Sequence, residues 1–310
     1  MIRLNKSYLY RLVCLISMIS CTHAASNLIT ESMAATNVKL KPAINNQSKT
    51  ALLPSHRIIA YYGNPLSKSM GVLGEYNNKQ MISMLNNEVS KWSHADPSHP
   101  AIPALHIIAS VAQGTAGKSG KYRLIMTDKL IESTYQLAQK NNAVMFIDIQ
   151  TGHDDIRNVL PRFGWILKNP DVHLGIDPEF NLISSKALPG TRIGTYDAKD
   201  INYVTSYLES VTKEYNLPPK ILVIHRFTRN REKKKKNIKL RDNVEIVMNM
   251  DGWGSPELKK STYRQYIAPE SVQYTGFKIF YHNDTKNGNK LINIQDVLQL
   301  KPAPLYIQYQ

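Results

Sequence analysis

The sequence predicts a single (β/α)8 barrel as the body of this 310-residue chain, and three observations predict it. Short β-rich apolar runs alternate with longer helix-compatible segments, the pattern of a parallel sheet covered on both faces. The alternation repeats eight times, and eight units in about 250 residues match a closed barrel. No Gly-rich phosphate fingerprint follows any run, which removes the usual nucleotide-binding reason for the competing open, doubly wound sheet.

The chain begins with the layout of an export signal. Met1–Arg11 is basic, Leu12–Ile19 (LVCLISMI) is apolar but far too short to span a bilayer, and small residues follow in SCTHAAS. This reads as a signal peptide over residues 1–24. Two cleavages fit. A cut before Ala25, after Thr22-His23-Ala24, is preferred; a lipoprotein box Met18-Ile19-Ser20-Cys21 would instead leave Cys21 lipid-anchored. The expected location is periplasmic or secreted, with or without that anchor. Either way Cys14 is lost and the folded body has no cysteine, which excludes disulfides, thiolate metal sites and a Cys nucleophile. No later stretch of about 20 apolar residues exists, so no transmembrane span is expected in the mature protein.

Residues 25–54, rich in Asn, Ser, Thr and Ala without sustained periodicity, read as a flexible tether. The formal net charge is +15, and losing Arg3, Lys6 and Arg11 leaves about +12, so the excess belongs to the body. Much of it lies between Arg229 and Lys236. The Lys233–Lys236 run reads first as a solvated face and second as a contact for an anionic envelope surface. Aromatic interleaving and nucleic-acid motifs are lacking, so no nucleic-acid partner is expected.

The barrel domain, residues 55–310, opens with the runs Arg57–Gly63 (RIIAYYG), Leu105–Val111 (LHIIASV), Ala143–Gln150 (AVMFIDIQ) and Val172–Asp177 (VHLGID). It continues with Ile221–Phe227 (ILVIHRF), Val244–Asp251 (VEIVMNMD), Phe277–His282 (FKIFYH) and Pro304–Tyr309 (PLYIQY). Between them, segments such as Asp128–Lys140 and Ala198–Tyr215 carry apolar residues at helical spacing; Ile201, Val204, Tyr207, Leu208 and Val211 form one face of the second. Ser93–Pro103 holds three prolines and predicts a loop over the top or flank of the barrel.

Catalytic groups of such barrels sit at the C-terminal ends of the strands. Polar residues gather there: Asp148 and Gln150 on the third run, Asp177 and Glu179 on the fourth, His225 on the fifth, Asp251 and Trp253 on the sixth, Tyr281 and His282 on the seventh. Period-two alternation places Asp148 and Gln150 on one face, and likewise Asp177 and Glu179 if the strand continues past Pro178. An Asp inside FIDIQ and a Lys inside GFKIF are costly to bury alone, so Lys278 should meet one of the carboxylates inside the mouth. Singly, each residue has a plainer reading. Strand-end aspartates such as Asp154, Asp155 and Asp284 commonly cap the next helix. His106, His225 and His282 read as hydrogen-bonded structural histidines, and His94 and His99 as incidental. The weight comes from their coincidence at one end.

The segments IAYYGNP, MGVLGE, IPALHIIASVAQ, FIDIQTG, HLGIDPEF, ILVIHRFT, MNMDGWG, GFKIFYHND and YIQYQ together resemble an uncharacterised family of exported bacterial proteins and lipoproteins, from Ile59 to Gln310. The fold implied is a TIM barrel of the glycoside-hydrolase sort. This chain departs from that pattern at Arg226, where the family usually has Gln, and in the Lys-rich stretch that follows. The expectation is an exported hydrolase acting on an envelope or environmental glycan. Glu179 would be the general acid, crowded by Asp177 and Asp148, with Asp251 or Asp148 as its partner. Tyr61, Tyr62, Trp253 and Tyr281 would supply a platform for sugar rings, with Gln150, His225 and Lys278 as further ligand contacts; no cofactor is expected. Two rivals stand beside this. One is metal-dependent hydrolysis through Asp148, Asp177, Glu179, Asp251 and His225; no HxH or HExxH spacing accompanies that set and Lys278 opposes a cation, so no metal is expected. The other is a barrel that binds a glycan or other small polar ligand without cleaving it.

Overall fold

The computed structural model describes residues 51–228, 232–233 and 237–310. The signal peptide, most of the tether and most of the Arg229–Lys236 run lie outside the described residues.

Eight parallel strands close on themselves. They are β1 (Arg57–Gly63), β2 (Ala101–Ala112), β3 (Val144–Ile149), β4 (Val172–Ile176), β5 (Lys220–Arg226), β6 (Val244–Met250), β7 (Tyr274–Ile279) and β8 (Tyr306–Tyr309). Each pairs with its sequence neighbours, and β8 returns to β1 with Ile58 opposite Tyr306 and Tyr61 opposite Tyr309. The fold is a (β/α)8 barrel. A short antiparallel strand, Arg123–Ile125, extends the sheet beside the end of β2.

The longer helices start where the sequence supplies caps. Asn77 accepts from the Gln80 amide to open α1 (Asn78–Ala95), and Thr127 from the Leu130 amide to open α2 (Asp128–Lys140). Asp197 and Asp200 form a capping box at the start of α3 (Ala198–Glu214). On α3 Ile201, Val204, Leu208 and Val211 are buried and Tyr207 half-buried, the face that the spacing predicts. Helix α4 (Pro256–Thr262) and the short α5 (Ile294–Leu298) cover the later strands.

Two apolar layers result. Outward-facing strand residues such as Ile59, Leu105, Ile147 and Leu222 pack with Leu85, Trp92, Ile131 and Leu208 of the helices. Inward-facing residues Ile58, Ala60, Ala104, Phe146, Val223, Val247 and Tyr306 fill the lower barrel. The barrel is thus a packed core, not a pore.

Three expectations are corrected. Leu53 is buried in the lower core, with Leu52 packed beside it, so the ordered domain begins before residue 55. The predicted Ser93–Pro103 loop shrinks, because α1 continues to Ala95 and β2 already begins at Ala101. Pro103 fits within β2 because the register with β3 starts only at Ala104, so no partner there needs its missing N–H. The remaining turn precedes β2 and therefore lies at the end of the barrel opposite the strand C-termini. Finally, extended geometry ends at Asp177: Pro178–Phe180 is a 3-10 turn, capped by the Asp177 carboxylate accepting from the Glu179 amide at 3.0 Å. Asp177 and Glu179 therefore do not share a strand face.

Candidate active site

Alternation carries one polar side chain from each strand inward at the C-terminal end of the barrel. In strand order these are Tyr62, His106, Asp148, Asp177, His225, Asn249, Lys278 and Gln308. They are buried, with Asp251 at the end of β6 reaching slightly further out at 12% side-chain exposure.

The charges form a chain. Tyr62 Oη donates to Asp148 Oδ2 at 2.8 Å. Asp148 Oδ1 lies 3.6 Å from His106 Nε2 and 3.4 Å from His225 Nε2. His225 Nδ1 lies 2.9 Å from Asp251 Oδ2, and Lys278 Nζ 2.9 Å from Asp251 Oδ1. Lys278 is held between the rings of Tyr62, 4.1 Å away, and Phe280, 5.0 Å away. It thus meets the carboxylate that a buried lysine demands. Behind this chain, His106 Nδ1 contacts Tyr306 Oη at 2.6 Å and Gln308 Nε2 at 3.0 Å. The His225–Asp251 and Lys278–Asp251 contacts are ion pairs of short reach but poor hydrogen-bond alignment.

These surroundings separate the protonation states. Burial alone would raise the Asp148 carboxyl, but the charge of His225 and the hydrogen bonding of both histidines hold it well below the ordinary range. Asp251 is likewise held low against burial, by Lys278 and His225. Burial opposes charge on His225, yet Asp148 and Asp251 lift it to about 10, so it is an imidazolium. His106 is pushed down to about 4 by burial, with Asp148 opposing, and is neutral. Asp177 is the exception among the carboxyls. Burial, with Glu179, Asp148 and Asp251 nearby, drives it well above the ordinary range despite His225. It has no ion-pair partner among the described residues.

Gly175 on β4 is required by this crowding. A Cβ there would stand 2.4 Å from Asp148 Oδ1 and 2.5 Å from His106 Nε2.

Other expected residues sit elsewhere. Tyr61 faces the helices, fully buried, with its hydroxyl 3.0 Å from that of Tyr281; both rings pack on Tyr309. Gln150 spends its Oε1 on the Ala112 amide at 3.0 Å. Trp253 is 44% exposed, with Lys286 over its ring. Glu179 is half-buried just beyond Asp177. Arg226 points away from the barrel interior and pairs with Glu270.

The residues therefore converge beneath a nearly closed mouth. Beside it lies a cavity of about 280 Å³ lined by Lys68, Ser69, Gly71, Glu75, Phe280, His282, Asn283 and Gln310. These residues follow β1, β7 and β8, so the cavity opens at the C-terminal end. His282 Nε2 lies 2.7 Å from Glu75 Oε1 across it. Phe280 belongs to both the cavity and the Lys278 sandwich, linking the two. Sequence reasoning missed Lys68, Glu75, Gln310, Tyr306 and Gln308. The last three were legible as the period-two polar face of YIQYQ once the inner face of β8 was known.

His106, Asp148 and His225 each offer one ligand atom, and these atoms lie within 4.8 Å of one another. Among the described residues no helix is long and apolar enough to cross a membrane.

No family model and no curated protein sequence matches the chain. Solved structures with a similar fold include a hyperthermophilic endo-β-1,4-glucanase in complex with substrate, at 10% identity over 83% of this chain and 89% of that one, with a TM-score of 0.42. They also include a ruminal GH26 endo-β-1,4-mannanase, at 13% identity over 88% and 64%, with a TM-score of 0.36. The barrel architecture itself stands on the strand pairing.

Proposed function

We propose that the mouth is the acid–base centre of an exported hydrolase acting on a glycan of the envelope or environment. The observation that carries this reading is the unequal treatment of two mouth carboxyls. Asp251 stands between Lys278 and His225 and is ionised, whereas Asp177 has no such partner and is held toward its neutral form. A pair of carboxyls pushed apart in this way supplies the proton donor and the ionised partner that glycosidic cleavage requires. Asp177 then takes the acid role that the sequence assigned to Glu179, and Glu179 flanks it at the surface. The cavity of about 280 Å³ bordered by Lys68, Glu75, His282 and Gln310 offers charged and amide groups suited to sugar hydroxyls. Exposed Trp253, two residues beyond Asp251, supplies a stacking face.

A panel of oligosaccharides incubated with the purified protein tests this. Cleavage by wild type should fall about 10²–10⁴-fold in Asp177→Asn, with the fold intact by circular dichroism. Glu179→Gln should lose less than Asp177→Asn; the reverse order would return the acid role to Glu179. The deep burial of the charged chain favours one second reading, a barrel that binds without cleaving. Sugar binding that survives in both variants, with no product from wild type, would establish that reading instead.

A further inference from the structure

We propose that His106, Asp148 and His225 form a binding site for a first-row divalent cation, Zn²⁺ being the fitting probe. The inference stands independently of the hydrolase reading. His106 Nε2, Asp148 Oδ1 and His225 Nε2 are buried, and Asp148 Oδ1 meets the two imidazoles only at long or poorly aligned contacts of 3.6 and 3.4 Å. An unsatisfied buried polar atom is expensive, and three facing one another call for a common partner. The two separations from Asp148 Oδ1, 3.6 and 3.4 Å, suit the problem. Zn–N and Zn–O bonds of about 2.0–2.2 Å in a tetrahedron set ligand atoms about 3.3–3.5 Å apart.

The second atom of each of these groups has a polar neighbour of its own. Tyr62 Oη donates to Asp148 Oδ2, Tyr306 Oη and Gln308 Nε2 contact His106 Nδ1, and Asp251 Oδ2 lies 2.9 Å from His225 Nδ1. Metal-ligating histidines have this arrangement, with Nε2 toward the ion and Nδ1 on a carboxylate or other oriented group. Two imidazoles and one carboxylate select a borderline ion such as Zn²⁺ over Mg²⁺ or Ca²⁺, which take oxygen ligands. Three protein ligands leave a fourth coordination position for a water or a ligand atom. Gly175 keeps that neighbourhood clear, since a Cβ would abut two of the three donors.

The test is metal analysis and calorimetry on the purified full chain, dialysed against chelator and then against Zn²⁺. Wild type should retain about one equivalent. His106→Gln and His225→Gln should each bind at least about tenfold more weakly. His94→Gln, an exposed histidine on α1, should bind as wild type does. Co²⁺ in place of Zn²⁺ should give the visible d–d bands of a four-coordinate site, absent in His106→Gln. If His225→Gln fails to fold, His106→Gln and the cobalt spectrum decide the matter. No retained metal and no shift in Tm with Zn²⁺ would overturn the site, leaving the three atoms to a buried water. Equal retention by wild type and His106→Gln would overturn it too, by placing the metal elsewhere. Neither result bears on whether Asp177 and Asp251 cleave glycans.

Discussion

Lys278 shows how one residue constrains many at this mouth. Its ammonium compensates Asp251 at 2.9 Å while two aromatic rings exclude water around it. Replacing it with Met would keep the packing and leave a carboxylate in the barrel with only His225 to balance it. Removing one member of a buried pair costs about 3–5 kcal/mol, so Lys278→Met should lower the urea midpoint markedly. Catalysis, if Asp251 is the ionised partner, should fall with it. An unchanged midpoint would mean that the Asp251 carboxylate is solvated rather than buried. His106 and His225 differ in the same manner although both are buried histidines. Burial keeps His106 neutral although Asp148 lies 3.6 Å away, with Tyr306 and Gln308 on its other nitrogen, whereas His225 lies between two aspartates and is charged.

At the scale of elements, β6 carries a buried acid at each end. Asp251 closes its upper end in a paired environment. Glu245, near the lower end, is 2% exposed, and burial pushes it up to about 8, with the Leu53 amide opposing. The unfolded chain releases this proton near 4.5, the ordinary value. Between there and 8 the folded protein binds more protons than the unfolded one, so stability falls as pH rises, by on the order of 5 kcal/mol in all. Glu245→Gln should remove that slope from a plot of unfolding free energy against pH; an identical slope in the variant would assign it to another group. The loop carrying Trp253 depends on a different element pair. Asp284 accepts from the amides of Gly254 and Phe280, both at 2.9 Å, and pairs with buried Lys259 of α4 at 2.7 Å. Asp284 thus does more than cap: it joins the β6 and β7 loops, and with them Trp253 and the Phe280 wall of the cavity.

For the whole molecule, closure rests on the last strand. β8 is four residues long, yet it pairs with both β1 and β7 and delivers Tyr306 and Gln308 to the interior. Ending the chain at Ala303 would expose two strand edges and leave His106 without its oriented partners. Such a truncation should lose cooperative thermal unfolding by circular dichroism and aggregate on gel filtration. A monomer that still melts cooperatively would show that seven strands suffice.

The sequence by itself determined the strand count, the parallel order and the end of the barrel that holds the polar residues. Each of these follows from local periodicity, which neighbouring residues impose on one another. It also marked Asp148, His225, Asp251 and Lys278, because a charge within an apolar strand is conspicuous without any knowledge of its partner. Only the tertiary structure decided which partner each one meets. It set Tyr61 and Tyr281 among the helices, spent Gln150 on a backbone amide, and turned the chain at Pro178 so that Asp177 and Glu179 parted. It also brought in Tyr306, Gln308 and His106, whose significance depends on strands about 200 residues apart becoming neighbours. Protonation follows the same rule. Burial and facing charge belong to closure of the barrel, and they raise the Asp177 carboxyl while Asp148 and Asp251 are held low.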